Sequence, residues 1–280
     1  MEPRTSLTPG QPVTVAPGVC RIVAPNAGMM TGPGTNTYLL GLREIAVLDP
    51  GPDLEAHLQA LLRAAQGLIR WVVVTHTHPD HSPLAARLAA QTGARLVGVA
   101  PPGDGRQDMT FKPDWTPRDG ERLQLGDLAL TAIHTPGHAS NCLCYLLERE
   151  RLLFTGDHVL EGVSPVILPP DGDMSAYLDS LDKLAHCDFE RIAPGHGSVL
   201  DGGKRMLAWL REHRLARDRQ VLQHLARAPA TLDELTPAVY ADVPADRHSW
   251  AKLTLEAHLI KLARDGRAVL CEGRWRIIKA

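Results

Sequence analysis

The sequence predicts an α/β fold, in which sheets are layered with helices, followed by a helical module that ends in a hairpin. Three observations predict it. Over the first two-thirds, short β-rich runs alternate with segments whose apolar residues fall at helical spacing. Beyond about residue 205 the chain changes to long amphipathic helices. It then closes on two strand-like runs around Glu272-Gly273.

The elements follow in order. "VTVAPGVCRIVAP" and "NTYLLGLREIAVLDPG" are strand runs broken by turn residues. Asp53 is placed to cap a helix whose apolar positions are Leu54, Leu58, Leu61 and Leu62. "IRWVVVTH" is an apolar run expected of a strand buried on both faces. "SPLAARLAAQTG" opens with Ser82-Pro83, an N-cap and first-turn pair, and stops at Gly93. Next come "RLVGVA", then "ERLQLGDLALTAIHT", "CLCYLLERERLLFTGD", a helix through "MSAYLDSLDKLAH", and "ERIAPGHG". In "NCLCYLL" the cysteines Cys142 and Cys144 alternate as one face of a strand. The last third holds a long helix through "KRMLAWLREHRLARDRQVLQHL", a short one from "TLDEL", and one through "HSWAKLTLEAHLIKLARDG" that closes on Gly266. Helices followed by a terminal hairpin describe a winged-helix module, so the expected domains are 1–205 and 206–280.

Composition narrows the class. The chain has 280 residues, 44% hydrophobic and 22% charged, with a formal net charge of -2, which are the proportions of a globular protein with a sizeable core. Aromatic residues make up only 4%, so no base-stacking platform is advertised. No signal peptide and no transmembrane helix are expected from the distribution of apolar residues. Five cysteines without a CxxC pair fit reduced thiols in a cytoplasmic protein. Charge is uneven: residues 1–205 hold 17 Lys+Arg against 23 Asp+Glu, and residues 206–280 hold 13 against 9. A basic tail on an acidic body suggests a second module with an anionic partner, or an ordinary charged helical surface.

The chemistry concentrates in "WVVVTHTHPDHS". Two residues apart on an extended strand, His76 and His78 point the same way and can grip one metal ion. Pro79 turns the chain, and Asp80 and His81 arrive at the start of the next helix, placed to reach a second ion. His, Asp and water are ligands that Zn²⁺ accepts. Further candidates sit beside glycine at the ends of apolar runs: His138 after Gly137, Asp157 after Gly156, and His196 between Gly195 and Gly197.

HxHxDH followed by Gly-His, Gly-Asp and Gly-His, in that order, resembles the metallo-β-lactamase superfamily. The resemblance implies an αβ/βα sandwich over about residues 13–200 with metals at one edge. It implies that His76, His78 and His138 hold one Zn²⁺, that Asp80, His81 and His196 hold a second, and that Asp157 bridges them. Mn²⁺ or Fe are the alternative metals. Two ions sharing a bridging water would give a hydroxide nucleophile near neutral pH, with Asp80 as the catalytic residue that orients it or relays a proton. His158, beside Asp157, is a candidate to line the pocket. The remaining histidines read as surface or packing residues.

The substrate is less defined. Asp157 stands where some lactamases carry cysteine, and only 38 residues separate Asp157 from His196, too few for an inserted nuclease domain. "GPGTNTYLLG" and "LTLEAHLIKLARDGRAV" are similar to the endoribonucleases called β-lactamase-like protein 2 and their bacterial relatives. That resemblance implies cleavage of single-stranded RNA. Lys252, Lys261, Arg264, Arg267, Arg274 and Arg276 are candidate phosphate contacts. The same module can instead wall the cleft or form a homodimer face. Two alternatives stay open: a thioester hydrolase of the glyoxalase II (hydroxyacylglutathione hydrolase) type, and a winged-helix regulator with a structural metal. The loop from Asn26 to Asn36, with Met29 and Met30, is expected to cover the cleft.

Overall fold

A computed structural model describes residues 7–103 and 105–278. The first six residues of the stretch read for a leader, and Lys279 and Ala280 of the closing run, lie outside the described residues. The chain forms two compact units. The first runs through Thr135 and includes Asn141–Val163 and Cys187–Lys204; the second takes Pro136–Ser140, Ser164–His186 and the chain from Arg205 onward.

The first unit is built on two six-stranded sheets. One holds β1 (Val13–Ala16), β2 (Val19–Val23), β3 (Asn36–Leu40), β4 (Ile45–Leu48), β5 (Ile69–Val73) and β6 (Arg95–Val97), in that spatial order. The helices α1 (Glu55–Ala65) and α2 (Leu84–Thr92) make the crossovers that let β4, β5 and β6 run parallel. The second sheet holds β7 (Arg122–Leu125), β8 (Leu128–His134), β9 (Leu143–Leu147), β10 (Leu152–Gly156), β11 (Arg191–Pro194) and β12 (Leu200–Asp201). Here β10 and β11 are the parallel pair. Tyr38, Leu48, Val73, Leu130, Tyr145 and Phe154 fill the core between the two sheets. Leu39, Val47 and Val72 pack with Leu58, Leu61 and Leu88 of the helices on the first sheet's other face. Leu58 and Leu61 are fully buried, each worth about 1.5–3 kcal/mol over an exposed position.

Several local expectations are corrected. Leu54, not Asp53, occupies the N-cap of α1, without a side-chain bond, and Asp53 pairs with Arg87 on α2 at 2.9 Å. Pro83 is the N-cap of α2; the Ser82 hydroxyl donates to Asp108 (2.7 Å), because the motif loop is tied to the 105–113 segment instead. Gly93, left-handed at φ 71°, ends α2 as its sequence requires. The run from Ile69 is not buried throughout, since Arg70 is exposed and Trp71 half-buried. β9 is buried along its whole length; Cys144 lies on it, and Cys142, just before it, is buried as well.

The second unit holds α3 (Met174–Ala185), most of α4 (Gly203–Leu225), α5 (Leu232–Val239), α6 (His248–Arg264), and the hairpin of β13 (Ala268–Cys271) and β14 (Arg274–Ile277). Asp173 caps α3 by accepting from the Ser175 and Ala176 amides. Thr231 and Glu234 form a reciprocal capping box on α5. Glu272 and Gly273, at φ 50° and 75°, make the tight turn that right-twisted strands need. Trp275 exchanges both backbone bonds with Ala230 (2.8 and 3.0 Å), a single bridge that ties the two-stranded hairpin to the segment before α5. Val221, Leu235, Leu255, Leu259 and Leu262 form its core. Among the described residues no helix is long and apolar enough to cross a membrane.

Candidate metal centre

The carboxyl ends of β4, β5, β10 and β11 deliver the chemistry. β5 stops at Val73, so His76 and His78 lie past the strand, not on it. The reason is the backbone, which leaves the ladder there: the Thr75 amide donates to Asp49 Oδ1 (2.7 Å) and the Thr77 carbonyl accepts from the Asp108 amide (2.8 Å). Asp80 and His81 sit in a turn closed by the His81 amide on the His78 carbonyl (3.0 Å), three residues before α2 begins. The turn still brings both side chains back over the strand ends.

Asp80, His81, Asp157 and His196 each offer a ligand atom, all within 4.8 Å of one another. His81 Nε2 lies 3.4 Å from Asp80 Oδ2 and 3.3 Å from Asp157 Oδ1. His196 Nε2 lies 3.1 and 3.3 Å from the same two oxygens. His76 joins on the other side, its ring centroid 4.2 Å from that of His81, and its Nε2 faces His78 Nδ1 at 3.0 Å. A tetrahedral ion with bonds of about 2.0–2.1 Å spaces its ligands by roughly 3.3 Å, the separation seen here. The buried nitrogens His81 Nε2 and His196 Nε2 make no well-directed hydrogen bond within the protein. Donor type, spacing and these two orphaned nitrogens all fit a divalent cation.

Hydrogen bonds fix which nitrogen each imidazole presents. His81 gives Nδ1 to Asp49 Oδ2 (3.0 Å), and His196 gives Nδ1 to the Gly34 carbonyl (3.2 Å), so both turn Nε2 inward. The Thr75 hydroxyl donates to Asp49 Oδ2 (2.7 Å) and so accepts from His76 Nδ1 at 3.0 Å. His138, in the second unit, likewise gives Nδ1 to the Val166 carbonyl (2.8 Å). Thr35 Oγ1 donates to Asp80 Oδ2 (3.3 Å) and is itself held by Asn26.

Charge follows from the packing. Burial pushes the Asp80 carboxyl up, but the His81 and His196 imidazoles outweigh it and hold it at about 2. Burial pushes His196 down, and the Asp157 and Asp80 carboxylates raise it to about 10. Two carboxylates among imidazoles thus favour positive charge in their midst, which a divalent cation would supply in place of those protons.

The glycines leave room. A Cβ on Gly195 would sit 2.5 Å from Asp157 Oδ1 and 2.7 Å from His81 Cε1. One on Gly156, at φ 48°, would meet the Thr75 hydroxyl at 2.4 Å. His158 is fully buried, and its amide donates to the Thr155 carbonyl at 2.9 Å. Met29 and Met30 are 66% and 47% exposed at the tip of the Asn26 to Asn36 loop. The residue missed from sequence is Asp49, which reads as a turn position before Pro50-Gly51. Its left-handed backbone, φ 50°, is visible only in the fold.

In the basic module, Lys252 is paired with Asp233, Lys261 with Asp218 (3.0 Å) and Asp265 (2.6 Å), Arg264 with Asp173, and Arg274 with Glu234 (2.7 Å).

Residues 30–196 match the family model described as the metallo-beta-lactamase superfamily, and residues 231–275 match the beta-lactamase associated winged helix domain. A protein of Aspergillus chevalieri called atrochrysone carboxyl ACP thioesterase is 30% identical over 283 residues, covering 94% of this chain and 88% of that one. The beta-lactamase-like protein 2 homolog of Caenorhabditis elegans is 30% identical over 272 residues, covering 93% and 90%. The crystal structure of a metallo-beta-lactamase family protein from Thermus thermophilus matches with a TM-score of 0.79 and 25% identity over 95% of this chain and 100% of that one.

Proposed function

Because the chain belongs to the metallo-β-lactamase superfamily, we propose that it holds two divalent ions and hydrolyses an acyl thioester. His76, His78 and His138 are assigned to one ion, Asp80, His81 and His196 to the other, and Asp157 to both. Zn²⁺ suits this set of nitrogen and oxygen donors; Mn²⁺ or Fe would be accepted by the same residues. Two such ions, when bound, acidify a water molecule and polarise the carbonyl under attack. The chain's own residues do the rest. Asp49, Gly34 and Thr75 hold the imidazole tautomers. Asp80, kept ionised, orients the nucleophile, and the Thr35 hydroxyl fixes the carboxylate that does so. The domains that carry this are proposed as residues 1–205 and 206–280.

The observation that favours an acyl over an RNA substrate is the state of the basic residues. Four of the six cations that would contact phosphates already face carboxylates. The name of the Aspergillus chevalieri relative points the same way. RNA cleavage is the second reading, favoured by the likeness to the beta-lactamase-like protein 2 homolog. One experiment separates them. Zinc-loaded protein is given an acyl thioester of a pantetheine analogue and, separately, a labelled single-stranded RNA, with Asp80→Asn alongside. Thioester turnover lost in the variant is expected. RNA cleavage lost in the variant, with no thioester turnover, would overturn the acyl reading in favour of the endoribonuclease.

A further inference from the structure

The chain around His196 reads Pro-Gly-His-Gly, and Gly197 stands at φ 83°. Glycines on both sides give this arm a backbone freedom that works against holding a ligand still. Yet nearly every carbonyl along it is taken. Asn36 opens β3, and its amide donates to the Gly195 carbonyl at 2.7 Å. Its Nδ2 spans the arm, donating to the Pro194 and Gly197 carbonyls at 2.9 Å each. The Tyr38 hydroxyl donates to the Pro194 carbonyl at 2.8 Å, and Arg21 Nη1 to the Gly197 carbonyl at 3.3 Å. Beyond the arm, Glu161 accepts from the Ser198 amide at 2.7 Å.

These donors share one face by construction. Asn36 and Tyr38 are two apart on β3, and Arg21 is opposite Tyr38 in the antiparallel register with β2. They look inward between the sheets, where the next residue on that face, Leu40, is an ordinary core position. Arg21 and Asn36 are fully buried and Tyr38 is 1% exposed. An arginine and an asparagine buried in a sandwich core cost stability that leucine or methionine would not. What the polar trio adds is a fixed position for the arm.

We infer that Arg21, Asn36 and Tyr38 are positioning residues that hold His196 in place for the ion it shares with Asp80 and His81. None of them touches that ion; they act through the backbone on either side of its ligand. The inference rests on the two-ion reading above.

The test is Zn²⁺ binding to the full chain by competition with a chromophoric chelator. Wild type is expected to bind two ions, and His196→Ala identifies the binding step that depends on His196. Asn36→Ser and Tyr38→Phe should weaken that same step by about tenfold, in line with other supports of metal ligands, and leave the other step unchanged. In the double variants with His196→Ala they should add nothing further. Tyr38→Phe removes one hydroxyl and keeps the ring, so it carries the test if Asn36→Ser does not fold. Arg21→Lys should bind the affected ion more tightly than Arg21→Met. Equal weakening of both steps, or none in either variant, would overturn the inference. Fewer than two ions on wild type would overturn the two-ion reading and the inference with it.

Discussion

Asp49 Oδ2 lies 3.0 Å from His81 Nδ1, and both residues are fully buried. The carboxylate fixes the tautomer of the imidazole and turns its Nε2 towards Asp80 and Asp157. The same carboxylate takes the Thr75 amide and hydroxyl, so one side chain organises two stretches of the motif loop. Asp49→Asn keeps the shape but presents an amide where an acceptor is needed. Its zinc affinity is expected to fall about 10–100-fold, measured by chelator competition, with the melting temperature of the metal-loaded protein falling as well. Wild-type affinity in the variant would remove Asp49 from the support of His81.

Gly195 is a place where no side chain fits. Gly195→Ala puts a methyl group within 2.5 Å of Asp157 Oδ1, so a ligand or the backbone must move. Loss of metal and of activity is expected, beyond any loss of fold. Gly93→Ala is the control: it is left-handed at φ 71° but has nothing within 4 Å, so it should cost about 1–2 kcal/mol of backbone strain and leave zinc binding alone. Gly195 itself is not left-handed, so comparable metal loss in both variants would show that something other than the lack of room at Gly195 decides.

Chelation should act as a two-part loss. Dialysis against a strong chelator is expected to abolish turnover and lower the melting temperature, and added Zn²⁺ should restore both. Since His ligands bind metal only when deprotonated, apparent affinity should fall as pH drops from about 8 to about 6, with protons released on binding. Calorimetry in two buffers of different ionisation enthalpy measures that release. Full turnover in chelated protein would sink the metal-dependent mechanism.

His57 predicts an acid limit to stability. Burial holds its imidazole at about 4, well below its ordinary range, and its Nε2 sits 2.8 Å from the Thr37 hydroxyl. The unfolded chain therefore takes up a proton first. The contribution is complete above pH of about 6.5 and is lost as pH falls towards 4, on the order of 3 kcal/mol. Urea unfolding of wild type and His57→Gln across this window should give a difference that narrows with falling pH. Parallel curves would assign the acid limit to other groups.

What the sequence made legible was local. HxHxDH packs four positions into six residues, so their convergence needs only one strand end and one turn. His138, Asp157 and His196 announced themselves through the glycines that make room beside them. Arg21 did not. "VCRIV" reads only as part of a strand run, and the register with Tyr38 shows its arginine turned inward. Asp53 and Ser82 read as helix caps because their types and positions suit that role. Each is instead bound to a partner distant in sequence, Arg87 and Asp108, which no local rule could reveal. Of the partners of the basic residues on α6, Asp265 lies four residues on from Lys261, within reach of a helical wheel, whereas Asp233, Asp218 and Asp173 lie on other segments and are not.

β10 and β11 run parallel, and the Gly195 amide donates to the Gly156 carbonyl at 2.8 Å. Asp157 and His196 therefore leave the sheet side by side, anchored at their roots by the ladder itself. Parallel neighbours cannot be joined by a tight turn, so a crossover between them is obligatory, whatever its length. That crossover is a slot in the architecture. Chain inserted or deleted there would leave Asp157 and His196 rooted at the same two strand ends, so the length of the crossover is free to vary independently of where those two side chains stand.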